Sequence, residues 1–135
     1  MNRRLFMLLS LSFGCLGLFV GSLAAAEHTT DSLDTVKEKI KAKEAILVDV
    51  REKSEWDEGH VKDARFSPLS ELKEDESLEK LLKNLPKDKI LYCHCRAGRR
   101  ALTAADILKK KGYDVRPLKP GYDDLIKAGF EKADK

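Results

Sequence analysis

The amino-acid sequence predicts an α/β fold in which a central, mainly parallel sheet is flanked by helices on both faces. Two mainly apolar runs, residues 45–50 and 89–94, predict strong strands, and the first of them is typical of a strand that is buried on both faces. Segments with the helical spacing of apolar residues lie before, between and after these runs. Strands that alternate with helices join into a parallel sheet through crossover connections, so one layered α/β domain accounts for the pattern.

The first half of the chain predicts one clear helix, one strong strand and several weaker elements. Apolar residues at 33, 36 and 40 predict a helix over residues 32–40, which Asp31 or Ser32 is expected to cap. The apolar run at 45–50 predicts the first strand. The weaker elements are a short helix and loop over 51–63, a brief strand over 64–67 that Pro68 ends, and a helix with Leu78, Leu81, Leu82 and Leu85 on one stripe that Pro86 stops.

The second half predicts a strand, a loop, a long helix, a short strand and a closing helix. These elements cover residues 89–94, 95–100, 101–108, 115–118 and 122–128 in that order. Three lysines and Gly112 follow the long helix, and such residues suit a helix carboxyl terminus because they complement its dipole and permit its stop. Gly129 is expected to end the closing helix.

The first 26 residues have the anatomy of a secretory signal peptide. A short positive start, Asn2-Arg3-Arg4, precedes an apolar run over 5–23, and residues 24–26 are alanines that a signal peptidase accepts before Glu27. We therefore expect an exported protein, periplasmic or secreted, with residues 27–135 as a single domain. An uncleaved membrane anchor is the alternative, since 19 apolar residues almost span a bilayer. Lipid attachment at Cys15 is disfavoured by the residues before it.

The remaining 109 residues suffice for one compact domain but not for two. They carry 24 basic and 23 acidic side chains, a net charge of +1, which gives no general attraction to nucleic acid or to a membrane surface. Their two cysteines, Cys93 and Cys95, are too close in sequence to form a disulfide framework. We expect at least one of them to have a chemical role.

Cys95 stands where the second strong strand ends and the long helix begins. Ligands of open parallel sheets bind at the carboxyl ends of strands, and the unpaired N–H groups and dipole of a helix start favour an anion. A cysteine in that position is expected to ionise more readily than a free one. Gly98 permits the tight backbone turn of the loop.

Three arginines in the same loop are expected to add positive charge around Cys95. Arg96, Arg99 and Arg100, with the backbone of Ala97 and Gly98, predict a nest for a thiolate, a persulfide or a small oxyanion. The plainer alternative is an ordinary strand-end cysteine beside a solvated helix start. Cysteine phosphatases need an arginine six positions after the nucleophile, and that position here is Ala101, so the loop suits a smaller transferred group.

Two segments resemble the rhodanese family. Residues 49–64, Asp-Val-Arg followed by Glu-Trp and then Gly-His-Val-Lys-Asp-Ala, are similar to its first signature, and residues 95–100, Cys-Arg-Ala-Gly-Arg-Arg, are similar to its six-residue active-site loop. The pattern Cys-x-Ala-Gly-Arg is close to that of short periplasmic rhodaneses of the phage-shock type, and the resemblance extends over about residues 32–130. One departure is Pro120-Gly121, where the family often has Gly-Gly.

The resemblance implies a sulfurtransferase with Cys95 as its nucleophile. A small anionic donor such as thiosulfate would leave a sulfane sulfur on Cys95 as a persulfide, and a thiol or cyanide would accept it. The loop residues Arg96, Ala97, Gly98, Arg99 and Arg100 would bind the donor and stabilise the persulfide. No metal and no organic cofactor is implied.

The other residues with chemical potential are expected to support the fold. Asp49 and Arg51 suggest an ion pair that braces a loop, and His60 suggests a structural hydrogen bond. Cys93 is expected to be buried packing, with a resolving thiol as the alternative. A metal site is not expected, because Cys93, His94 and Cys95 in consecutive positions cannot surround a tetrahedral ion.

Three other functions remain open from the sequence. The first is a cysteine-dependent oxyanion enzyme of another class, such as a phosphatase or an arsenate reductase. The second is a non-catalytic module of the same fold that binds a partner. The third is a relay of sulfur or oxidising equivalents among exported thiols, in which Cys93 would take part. The oligomeric state is not indicated by any pattern in the sequence.

Overall fold

The computed structural model describes residues 24–134, and their centre is a four-stranded parallel sheet. The strands are β1 (Ala45–Asp49), β2 (Arg65–Phe66), β3 (Ile90–His94) and β4 (Val115–Pro117), in the spatial order β2-β1-β3-β4. All three strand pairs are parallel, and β1 pairs with β3 along its whole length. The predicted fold class is confirmed.

In the described part of the chain, six helices connect and cover the strands. They are α1 (Leu33–Lys41), α2 (Lys53–Glu58), α3 (Leu69–Leu72), α4 (Asp75–Leu82), α5 (Arg99–Lys110) and α6 (Tyr122–Lys127). Ser32 caps α1, since its Oγ accepts the Thr35 N–H at 3.1 Å, whereas Asp31 makes other contacts. Helix α3 was not predicted, because four residues are too few for a helical period to show.

The sheet divides the buried core into two clusters, one on each face. Side chains alternate between the faces of a strand, so Val48, Leu91 and Cys93 point to one side and Leu47 and Tyr92 to the other. The first cluster is completed by α3, α4 and the alanine-rich face of α5. The second is completed by α1 and α6. Helices therefore flank both faces, as predicted.

Most element boundaries fall within one or two residues of their predicted positions. One such difference has consequences: α5 begins at Arg99 and not at residue 101, so the prediction that residues 99 and 100 belong to the loop is wrong. Gly98 adopts a left-handed conformation with φ of 93° and is the residue that precedes the first helical turn. Both arginines are thus held on a helix.

The expected signal peptide falls mostly on residues 1–23, which lie outside the described residues, and it stays a prediction. Within residues 24–134, every helix is too short or too polar to span a membrane. Residues 26–31 are extended along the domain and contact both α5 and β4.

Candidate active site

Cys95 lies at the carboxyl end of β3, in the turn that leads into α5. Its Sγ accepts the Gly98 N–H at 3.1 Å, and the residue is only 1% exposed. The short turn brings this N–H back onto the sulfur because Gly98 has the left-handed conformation that other residues rarely adopt. Cys95 therefore lies at the strand–helix junction, as the sequence predicted.

The loop is closed from the other side by the backbone that begins α6. The Tyr122 N–H donates to the Cys95 carbonyl at 3.0 Å. At Gly121 the two chain segments are in direct contact, and a Cβ atom there would lie 1.8 Å from the Arg96 carbonyl oxygen. The departure from Gly-Gly at Pro120-Gly121 therefore keeps a glycine at the position where the backbones touch.

The three loop arginines have different environments. Arg96 and Arg99 are exposed, and Arg96 lines a cleft beside the loop. Arg100 is bound by Glu55 of α2, with Nη1–Oε1 and Nη2–Oε2 distances of 2.6 and 3.0 Å. A bidentate pair of this kind fixes the guanidinium and shares its charge with the carboxylate. The role of Arg100 in stabilising a persulfide stays a prediction, and Glu55 competes for the same cation.

The Glu55–Arg100 pair predicts a measurable pH dependence of stability. Hydrogen bonds from Arg100 lower the Glu55 pKa to about 2 from its ordinary value of 4.5. A carboxyl group whose pKa is lower in the folded chain than in the unfolded chain stabilises the fold at pH values above its unfolded pKa. This stabilisation is lost as the pH falls through its folded pKa. Glu55→Gln is expected to lower the free energy of unfolding at pH 7 by about 1 kcal/mol, reduced by the partial exposure of the pair.

Urea unfolding at several pH values tests this expectation. The difference between the parent and Glu55→Gln should shrink steadily as the pH falls from about 5 to about 2, because the carboxyl group of the unfolded parent takes up its proton near 4.5 while that of the folded parent stays charged down to about 2. A difference that stays constant over this interval would show that the carboxylate charge contributes nothing. Lys53→Gln, which breaks the exposed Lys53–Asp57 pair on the same helix, serves as the control with an expected effect near zero.

Asp49 and Arg51 form the ion pair that the sequence suggested. Arg51 donates from Nε and Nη2 to the Asp49 carboxylate at distances of 2.8–3.1 Å, and its Nη2 also donates to the Gly59 carbonyl at 2.8 Å. The guanidinium lies 4.2 Å from the centre of the Tyr122 ring. Both side chains are buried, so the pair holds the loop after α2 against α6 in a fixed position.

His60 has structural contacts in the described chain. Its ring stacks on Trp56 with centroids 3.5 Å apart, and its Nδ1 donates to the Trp56 carbonyl, 3.1 Å away. Trp56 also stacks on Phe66. These contacts fix the end of α2 against β2 and agree with a supporting role.

Cys93 and His94 are both buried beneath the loop. Burial raises the pKa of the Cys93 thiol to about 12, so this cysteine is neutral packing in the core. Burial also lowers the His94 pKa despite the Asp49 carboxylate, whose Oδ2 lies 3.7 Å from the His94 Nε2. Neither ring nitrogen of His94 meets a hydrogen-bond partner among the described residues. The predicted strand over 89–94 includes His94, but no pattern in the sequence indicated that its side chain would be wholly buried without a partner for either ring nitrogen among the described residues.

A cleft of about 270 Å³ opens beside the loop. Its walls carry both charge signs and one aromatic ring, contributed by Arg51, Glu55, Glu58, Gly59, Arg96, Tyr122, Asp123 and Lys132. Ala101, the position at which a cysteine phosphatase needs its arginine, is wholly buried on the core face of α5. The site thus combines a cradled sulfur with a small polar cleft, and it lacks the phosphoryl clamp. Within residues 24–134 no group of side chains is arranged to hold a metal ion.

Comparison with known proteins gives a consistent result. The protein-family model described as "Rhodanese-like domain" matches residues 32–128 of this chain. "Putative sulfur carrier protein YrkF" of Bacillus subtilis is 33% identical over 95 residues, covering 69% of this chain and 48% of the relative. "Putative thiosulfate sulfurtransferase, mitochondrial" of Schizosaccharomyces pombe is 35% identical over 79 residues, covering 53% and 55%. The chain thus spans about half the length of these curated relatives.

The solved structures include similar single domains. A crystal structure of a rhodanese-related protein from Thermoplasma volcanium superposes with a TM-score of 0.61 at 27% identity. The match covers 75% of this chain and 93% of that protein. The shared region is therefore nearly the whole of the solved domain.

Proposed function

The chain belongs to the rhodanese-like domain family, and we propose that it is a sulfurtransferase that moves a sulfane sulfur from thiosulfate, or a similar small anion, through a persulfide on Cys95. The observation that carries the proposal is the Gly98 N–H held 3.1 Å from the Cys95 sulfur at the carboxyl end of β3. Sulfurtransferase names among the relatives support the reaction class, and the S. pombe relative's name includes thiosulfate.

The proposed reaction has two displacement steps. The Cys95 thiolate attacks the outer sulfur of thiosulfate, a new S–S bond forms, and the original S–S bond breaks so that sulfite leaves with its electron pair. The product is an anionic persulfide on Cys95. An acceptor nucleophile then attacks the outer sulfur, and the thiolate is restored; cyanide gives thiocyanate and a thiolate gives a persulfide. Charge is conserved, and no oxidant or reductant enters.

The geometry supports a small, negatively charged donor. Cys95 is 1% exposed, so a reactant must present a narrow terminal atom to reach the sulfur. The Gly98 N–H stabilises negative charge that develops at the sulfur, and Arg96 on the cleft wall is placed to attract the anionic end of the donor. Because Arg100 is bound to Glu55, Arg96 is the loop arginine on which donor binding is expected to depend most.

Thiosulfate:cyanide transfer assays test the proposal. The parent chain should form thiocyanate, and Arg96→Glu should raise KM for thiosulfate by about tenfold, since reversing one nearby charge in a partly solvated cleft costs about 1.4 kcal/mol of binding. Lys83→Glu, the same charge change at an exposed position after α4, should leave KM unchanged. Absence of thiocyanate from the parent would refute thiosulfate as the donor, and equal KM values in the parent and Arg96→Glu would remove the role of Arg96.

A further inference from the structure

The chain preceding the matched domain contacts the loop that holds Cys95. Residues 26–31, which we call the N-terminal segment, lie before the family match at 32–128. We propose that His28 of this segment is a positioning residue, which fixes the Gly98 peptide groups and so keeps the Gly98 N–H on the Cys95 sulfur. The inference deepens the proposed function, because it concerns the same sulfur.

Two hydrogen bonds place His28 one residue from the reacting atom. The His28 Nε2 lies 2.9 Å from the Gly98 carbonyl oxygen, and the Gly98 N–H donates to the Cys95 Sγ at 3.1 Å. A carbonyl oxygen only accepts, so Nε2 must carry the proton in this contact. The Gly98 carbonyl oxygen also accepts the Leu102 N–H of α5 at 3.4 Å, so His28 makes the shorter of two contacts to this oxygen while the Gly98 N–H faces the sulfur.

Gly98 needs such a restraint for a conformational reason. A glycine has the widest choice of backbone angles, and here it occupies φ of 93° at the end of the turn. The hydrogen bond from His28 to the Gly98 carbonyl oxygen restricts rotation about ψ of Gly98. This restriction in turn limits how far the loop can move. The Lys119 backbone closes the remaining space, since a Cβ on Gly98 would lie 3.0 Å from the Lys119 oxygen and 2.9 Å from the His28 Nε2.

The N-terminal segment is anchored on both sides of His28. The Ala26 N–H donates to the Asp106 carboxylate of α5, and the Thr29 N–H donates to the Pro117 carbonyl of β4 at 2.8 Å. Further on, the Asp31 carboxylate accepts from the Tyr92 hydroxyl and from Arg116. His28 is thus delivered to Gly98 by a bound segment. Removal of residues 1–26 would cost the Ala26 contact and would leave His28, Thr29 and Asp31 in place.

The test measures how readily the Cys95 thiol ionises in the reduced full-length chain. Iodoacetamide alkylation of Cys95 is followed as a function of pH by tandem mass spectrometry, because Cys93 and Cys95 share one peptide and only backbone fragmentation between them assigns the label to Cys95. His28→Phe and His28→Ala, which cannot donate, should move the pH midpoint of alkylation upward by about half a unit and slow alkylation at pH 7 by about threefold, since the Gly98 donor is loosened but still present.

A conservative variant separates the hydrogen bond from packing. His28→Gln places an N–H at nearly the same reach from the backbone and should keep the parental midpoint. Tyr113→Phe, which removes hydroxyl contacts to the Leu82 and Leu85 carbonyls far from the loop, controls for general loosening and should also match the parent.

Three results would overturn the proposal: a parental midpoint in His28→Phe and His28→Ala, an equal shift in His28→Gln, or an equal shift in Tyr113→Phe. Alkylation requires no sulfur transfer, so the proposed function and the role of His28 can fail separately. If the His28 variants shift the alkylation midpoint but the parent forms no thiocyanate, thiosulfate is refuted as the donor and the role of His28 stands.

Discussion

The Cys95→Ser variant is expected to form thiocyanate from thiosulfate and cyanide at least about a thousandfold more slowly than the parent, because it lacks the sulfur that carries the transferred atom. Serine nearly matches cysteine in shape, and its hydroxyl can accept the same Gly98 N–H. The fold should therefore persist, with a circular dichroism spectrum and thermal midpoint close to those of the parent. Steady-state rates measured with equal concentrations of the two proteins check the expectation.

Cys93→Ala is the matched control for this experiment. Cys93 is wholly buried in the core cluster between the sheet and α5, and its thiol is neutral. Its loss should lower the free energy of unfolding by about 1 kcal/mol and leave the rate within about twofold of the parent. If Cys93→Ala lost the activity while Cys95→Ser kept it, the nucleophile would be misassigned and the relay among exported thiols would become the better account.

Gly121→Ala is expected to have the largest effect on the fold of the site. The new Cβ would lie 1.8 Å from the Arg96 carbonyl oxygen and 2.5 Å from the Arg96 carbonyl carbon, distances at which the backbone must move. Such overpacking against backbone costs about 3 kcal/mol or more, and the shift would displace the loop that places Gly98 against Cys95. We expect sulfur transfer to fall by at least about a hundredfold, since misplacing reacting groups by an ångström has effects of that size.

Gly112→Ala separates this contact from a general effect of replacing glycine. Gly112 has φ of 89°, and the nearest atom to an added Cβ is the flexible Lys87 Nζ at 3.5 Å. The substitution should cost about 1–2 kcal/mol from the left-handed backbone alone and leave transfer intact. Equal stability and activity of Gly121→Ala and the parent would show that α6 does not close against the loop.

The sequence was sufficient where a single local pattern determined the outcome. The mainly apolar runs at 45–50 and 89–94 predicted β1 and β3 closely, because a strand in the middle of a covered sheet requires apolar residues whatever surrounds it. The position of Cys95 at the end of β3 followed from the second of these runs. The family resemblance then suggested which loop residues act on the sulfur, and their roles stay predictions.

Contacts between distant elements could not be predicted in this way. The pairing of Arg100 with Glu55 depends on how α2 docks beside α5, and no local pattern encodes that geometry. The contact of His28 with Gly98 arises from a polar segment that shows neither helical nor strand periodicity. Helix α5 began two residues early for a related reason, since Arg99 and Arg100 show no apolar spacing.

The proposed mechanism requires a sulfane sulfur that resides covalently on Cys95, and tandem mass spectrometry of the chain after thiosulfate treatment tests this requirement most directly. The peptide that contains Cys95 should gain the mass of one sulfur atom and lose it when cyanide is added, while the same peptide from Cys95→Ser should show no gain. An unmodified Cys95 in a chain that still forms thiocyanate, or a sulfur located on Cys93, would contradict the mechanism.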